Sequence, residues 1–172
     1  MLSEELMYRR RILMSGEKEE VDPSILYEAY NLSFNGSNYI DTGVYLFTQE
    51  NINKDFEFIA EGIVGPNGGN NTIICAKHNA NSYGFLVRTS NSTNTSYKGT
   101  ISTLASPNIC EVIVRRVNGA ITLSGTNIKN PSVEFTNSVF NWPLVLGCAV
   151  DDNGNLYRYA TGTIKHVKIR WL

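Results

Sequence analysis

Two carboxylates held about 5–9.5 Å apart across a sugar can cleave a glycosidic bond. The close acidic pair that would face one way along a strand here is Glu57 and Glu61. Four residues of extended chain cover roughly 13 Å, too far without a bulge, and no third acid lies between them. His78 and His166 each stand alone, without a Ser or Cys in a known nucleophile motif, and read as solvated or structural. The catalytic set is therefore empty, and glycoside hydrolysis is disfavoured.

Hard oxygen donors gather at Asp151, Asp152, Asn153 and Asn155, the ligand type calcium prefers. Gly154 falls at the fourth position of that run and not the sixth, so the spacing is not an EF-hand. Asp-Asn-Gly-Asn is also what a hairpin turn needs. The turn is the preferred reading and no cofactor is expected; Asp151, Asp152 and Asn153 are the residues a calcium ion would use.

A sugar has apolar faces and a hydroxyl rim, so its site pairs an aromatic platform with amide and carboxylate groups. Tyr97, Trp142, Tyr157 and Tyr159 are the candidate platform, with Arg88, Asn91, Asn94 and Asp152 near them in sequence. Against that, nine Tyr, seven Phe and two Trp are ordinary provision for a β core and its edges. The polar stretch Thr89–Lys98 reads equally as a plain solvated loop.

Arg9, Arg10 and Arg11 offer fork-shaped, charge-assisted hydrogen bonds. Glu4, Glu5, Glu17, Glu19 and Glu20 surround them, which favours docking on a protein over binding nucleic acid. With Leu6, Tyr8, Ile12 and Leu13 they form a partner-docking set.

What must position these groups is a chain of 172 residues, 42% hydrophobic and 18% charged, with net charge −1. That suits one compact domain with an appendage and excludes wholesale disorder. It also lacks the basic excess that draws a protein to nucleic acid. No run of about 18 apolar residues exists, so no membrane span is expected. The start lacks a signal-peptide pattern, and synthesis in the cytoplasm is expected. Cys75, Cys110 and Cys148 sit in apolar stretches and read as small buried strand residues. A disulfide among them stays open, and no CxxC spacing suggests zinc.

Residues 1–28 carry seven acidic and four basic side chains, punctuated by Pro23. Leu2, Leu6, Met7, Arg10, Leu13 and Met14 fall near helical spacing, so Ser3 to Met14 reads as a short amphipathic helix or an extended anchor. A helix of about 12 residues is marginal alone in water and needs a surface to dock on. From residue 29 to 172 the texture changes to short β-type runs broken by Asn, Gly and Ser. Phe56, Phe58 and Ala60 alternate with Glu57, Ile59 and Glu61, which puts the two sets on opposite faces. Asn118-Gly119 is a strong two-residue hairpin signal. The expectation is an all-β fold of two packed antiparallel sheets, a sandwich, over residues 29–172.

The stretch LSFNGSNYIDTG (Leu32 to Gly43), followed by the run containing Asp55, Phe56 and Glu57, resembles the opening of a concanavalin A-like, laminin-G-type jelly roll. The end is similar to that family's closing pattern: Leu146-Gly147-Cys148, a polar hairpin, then Gly162-Thr163-Ile164 and Val167-Lys168-Ile169. The resemblance implies that the first and last strands pair and close the core. Calcium, which such domains sometimes hold, is implied only through this resemblance. YRRRILM (Tyr8 to Met14) is similar to short openings on structural proteins of bacteriophages that infect gut bacteria.

Together these resemblances imply a non-enzymatic accessory protein of a virion, made in the host cytoplasm. Residues 1–28 would dock on a capsid, portal or tail protein, and the jelly roll would project outward as a decoration or head fibre, in many copies or as a homo-oligomer. Cell-surface glycans are its expected external partner. A free-standing bacterial lectin-like carbohydrate-binding module is the alternative.

Overall fold

The computed structural model describes residues 22–64, 71–79, 82–89, 100–105, 110–126, 128–134, 139–151 and 153–172. Side chains of residues 71, 77–79, 82–89, 100–105, 110 and 128–134 are outside that description. The helix expected over Ser3 to Met14 also lies outside the described residues. All regular structure among the described residues is β, and no helix there is long and apolar enough to cross a membrane. In chain order the strands are β1 (Ile25–Asn35), β2 (Ile40–Asp41), β3 (Phe56–Ile63), β4 (Asn71–Asn79), β5 (Ser82–Thr89), β6 (Thr100–Ala105), β7 (Cys110–Val117), β8 (Ala120–Ser124), β9 (Ile128–Glu134), β10 (Val145–Leu146), β11 (Ala149–Val150), β12 (Leu156–Tyr157) and β13 (Thr161–Trp171).

A five-stranded antiparallel sheet runs in the order β1-β13-β3-β7-β8. First and last strands pair along their length, with Leu32 opposite Ile164 and Phe34 opposite Gly162. Strand β1 starts at Ile25, opposite Arg170, so residues 25–28 join the sandwich and not the anchor segment to which the sequence assigned them. The turn at Asn118-Gly119 joins β7 to β8, with Val117 opposite Ala120, as the dipeptide requires.

The second sheet has six strands in the order β2-β10-β4-β5-β6-β9, and it is not wholly antiparallel. Strands β5 and β6 pair in parallel, Leu86 opposite Thr100. A parallel pair cannot be joined by a tight turn; residues 90–99 separate the two strands, which is why the intervening polar stretch is long. Strand β9 contains Pro131 and lies at the sheet edge, where a missing backbone donor costs no ladder bond. The small hairpin of β11 and β12 forms a separate two-stranded sheet.

One main core contains side chains from both large sheets: Phe56, Phe58, Ala60, Val112, Val114, Val167 and Ile169 from one, Ile74, Ala76 and Leu146 from the other. Phe58 is completely buried, which stabilises the fold by about 1.5–3 kcal/mol relative to exposure. Gly147 explains part of the closing pattern. Its φ is +81°, and a Cβ there would sit 2.2 Å from two ring atoms of Phe34. Glycine is what lets the β1 aromatic seat against the turn after β10.

Candidate functional site

Residues 56–61 alternate as expected, with Phe56, Phe58 and Ala60 in the main core. Glu57 and Glu61 lie on the outer face of the same sheet, yet neither stands as a free acid. Glu57 is fully buried there. Arg115 donates to its Oε2, and Arg170 reaches its Oε1 at 2.6 Å from Nη2 and 2.8 Å from Nε. Burial pushes the Glu57 carboxyl up, but the bonds from the two arginines outweigh it and hold the group below the ordinary glutamate range. Glu61 instead meets His166. The two carboxylates belong to separate clusters, Glu57 with Arg115 and Arg170, Glu61 with His166.

His166, which reads as isolated in the sequence, is the centre of a four-residue network. Its Nδ1 lies 2.8 Å from Glu61 Oε2 and its Nε2 lies 2.8 Å from Glu28 Oε1. The Tyr30 ring stacks on the imidazole at 4.6 Å between centroids and 13° between planes. The Tyr30 hydroxyl donates to Glu28 Oε1 at 3.0 Å. Desolvation raises the Glu28 carboxyl, but the bonds from His166 and Tyr30 prevail and its pKa is lowered. Strand register builds this network: Tyr30, His166 and Glu61 sit directly opposite one another across β1, β13 and β3.

A bulge beside it shapes the surface. Pairing of β3 with β7 slips between Ala60 and Ile63, around Gly62 at φ +62°. A Cβ on Gly62 would sit 2.6 Å from the Cβ of Lys165, so the two strands approach there only because no side chain intervenes. Tyr30, Glu61, Gly62, Lys165 and His166 line an open depression of about 500 Å³. The sequence signal was present in Glu28-x-Tyr30, but only the register of β1 on β13 connects it to His166.

The aromatic residues singled out from sequence converge elsewhere. Trp142, Tyr157 and Tyr159 are partly buried and pack, with Leu156, on a second core of Cys75, Val145, Cys148, Ala149 and Val150. Strand alternation puts Cys75 and Val145 on the face opposite to Ile74 and Leu146, so this cluster covers the outer side of the six-stranded sheet. Trp142 rests on the hairpin turn, where a Cβ on Gly154 would lie 3.2 Å from its ring. Arg158, at φ +52°, carries its guanidinium 5.3 Å from the Tyr157 ring centroid. Arg88 lies on β5 opposite Thr72, its side chain outside the described residues, as are Asn91, Asn94, Tyr97 and Asp152. The docking set of Leu6, Tyr8, Arg9, Arg10, Arg11, Ile12 and Leu13 is likewise outside them.

Asp151 acts as the turn residue the sequence suggested. Its Oδ1 accepts from the backbone N–H of Asn153 and of Asn155, both at 2.8 Å, and its Oδ2 accepts from the Asn155 side-chain amide at 2.9 Å. The bond from Asn153 comes from its backbone N–H, as in an Asx turn. Among the described residues no group of three His, Cys, Asp or Glu side chains converges as metal ligands. Cys75 and Cys148 are buried, and burial pushes the Cys148 thiol up to about 12; the side chain of Cys110 is outside the description.

No protein-family model matches the chain, and no curated protein matches it. Among solved structures, a leech intramolecular trans-sialidase, complexed with 2,7-anhydro-Neu5Ac after soaking with 3'-sialyllactose, superposes with a TM-score of 0.59. The fold the two share is an all-β sandwich. Identity is 12%, so the likeness to the leech enzyme is one of fold alone. It takes in 85% of this chain but only 26% of the leech protein. For this sandwich, the turn-forming glycine between β10 and β11 and the paired terminal strands are the features in which sequence pattern and structure coincide.

Proposed function

We propose that the chain is a non-enzymatic accessory protein of a bacteriophage particle, in which a jelly-roll sandwich adheres to glycans and residues 1–21 hold it to a capsid, portal or tail partner. The observation that carries the adhesive part is the gathering of Trp142, Tyr157 and Tyr159 on one hairpin, with Arg158 over Tyr157. Half-buried aromatic rings beside a guanidinium supply an apolar surface and hydrogen-bond donors together, as a sugar requires. The absence of a hydrolytic role is argued from Glu57 and Glu61, each drawn into its own cluster.

Polarity of the domain fits the anchoring part. The strand that follows residue 22 and the strand that ends at Trp171 lie at the same end, where the Trp171 N–H donates to the Ser24 carbonyl at 2.9 Å. The base of the hairpin is at the far end of β1, where the Ala160 carbonyl accepts from Gly36 at 2.9 Å. The described chain thus begins at the end of β1 away from the hairpin.

A glycan array with the full chain tests this reading, alongside Arg158→Gln and Tyr159→Ala. Binding to neutral or acidic glycans that both substitutions reduce supports it. No binding to any glycan, or binding indifferent to both substitutions, overturns the hairpin as the adhesive surface.

A further inference from the structure

The outer face of the five-stranded sheet holds a set of groups that the hairpin reading leaves unused. Tyr30 is held there at two points, by its stack on His166 and by its hydroxyl bond to Glu28, yet the residue is 58% exposed. An exposed tyrosine usually has rotamer freedom to lose when something binds to it. This one has already lost much of that freedom to the fold, which lowers the entropic cost of using its ring as a surface.

We propose that the depression around Tyr30 is a saccharide subsite for an uncharged pyranose ring, separate from the hairpin and on the other side of the sandwich. The ligand class rests on the reading of the domain as a glycan-adhering module; the location does not.

The charges specify an uncharged ligand. Glu28 and Glu61 each face one nitrogen of His166. Lys165 and Lys168 stand beside these carboxylates, so the depression offers strong donors and acceptors of both signs, already interspersed and partnered. A charged sugar gains no pairing there that is not already made. A hydroxyl-rich neutral ring fits: its C–H face lies on Tyr30 while its rim hydroxyls donate to the Glu61 carboxylate and accept from Lys165.

The shape agrees. The volume, about 500 Å³, falls within the roughly 300–1,000 Å³ typical of small-ligand sites. The Gly62 bulge supplies a floor of backbone beside Lys165. Being open, the subsite holds one ring weakly, and a second contact from the hairpin face of another copy adds avidity when many copies are displayed.

The experiment is NMR on the full-length chain with labelled aromatic and histidine side chains. Methyl glucoside, methyl galactoside and methyl mannoside are titrated separately, with methyl glucuronide as the charged control. At least one neutral glycoside is expected to shift the Tyr30 and His166 ring signals and to do so more strongly than the glucuronide. Tyr30→Ala is expected to abolish those shifts, Tyr30→Phe to keep most of them, and Glu61→Gln to weaken them with the fold intact. Shifts confined to Trp142, Tyr157 and Tyr159 overturn the Tyr30 subsite and leave the hairpin reading standing. Shifts confined to Tyr30 and His166 support the subsite and overturn the hairpin. Silence at both places with every sugar overturns both.

Discussion

Two buried charges show how differently one sheet treats a polar side chain. Glu57 is buried but receives bonds from Arg115 and Arg170. Glu57→Gln keeps the shape and removes the charge. The expected cost is about 2–3 kcal/mol, below that of a fully enclosed pair because both arginines still reach water; thermal unfolding measures it. A native pKa lowered below the unfolded value means that this stability is present above about pH 4.3 and is lost as pH falls through the native value. The wild-type melting temperature should therefore drop across that acid window, and Glu57→Gln should flatten the drop. Arg116 is the opposite case. It is 1% exposed, on the core face opposite Phe56, and its Nε and Nη1 have no hydrogen-bond partner among the described residues. Desolvation lowers its pKa, with Asp55 opposing. Arg116→Met is expected to stabilise the fold by about 1–3 kcal/mol, read as a rise in melting temperature; a fall would mean that the guanidinium makes a compensating contact.

At the level of elements, strands with clear alternation and a clean turn were legible. The β7–β8 hairpin follows from Asn118-Gly119, and β13 follows from Ile164, Val167 and Ile169. Strands β6 and β9 were not. Thr100–Ala105 is small and polar, and Pro131 argues against a strand unless one knows that the strand is an edge. Both strands exist because the sheet beside them supplies pairing that their own residues do not request. Gly147 belongs to this scale as well, since it joins β10 to β11 under Phe34. Gly147→Ala places a Cβ against the Phe34 ring at a positive φ, and the expected loss is about 3–5 kcal/mol. For a domain of this size that is roughly a 10 °C fall in melting temperature, which calorimetry resolves. A fall of a degree or two would mean that the ring moves aside at little cost.

For the whole molecule, the decisive question is whether residues 1–21 are part of the fold or of its attachment. The sandwich starts from a turn in which Asp22 Oδ1 accepts from the Ser24 N–H at 2.9 Å, and β1 follows at Ile25. Removal of residues 1–21 is therefore expected to leave the melting temperature nearly unchanged and, on the proposed anchor role, to abolish incorporation into a phage particle. Arg9→Ala, Arg10→Ala and Arg11→Ala together should weaken incorporation, and raised salt should weaken wild-type attachment in the same direction. A truncated chain that assembles at full occupancy sinks the anchor proposal. One that fails to fold places the segment within the domain.

The sequence by itself determined the β class, the alternation at residues 56–61, the Asn118-Gly119 hairpin and the turn at Asp151; the pairing of the terminal strands was implied only by a family resemblance. The former depend on local backbone preference or on a period of two, and both are written in neighbouring residues. Tertiary structure decided what those residues meet. Glu28 and His166 are far apart along the chain, and so are Glu57 and Arg170; only strand order and register bring each pair within 3 Å. Register is set by the whole core, through Phe34, Phe58, Val114 and Val167 packing at once, so a single segment carries no record of it. That is why the hairpin aromatics could be named from the chain alone, while the Tyr30–His166 network could not.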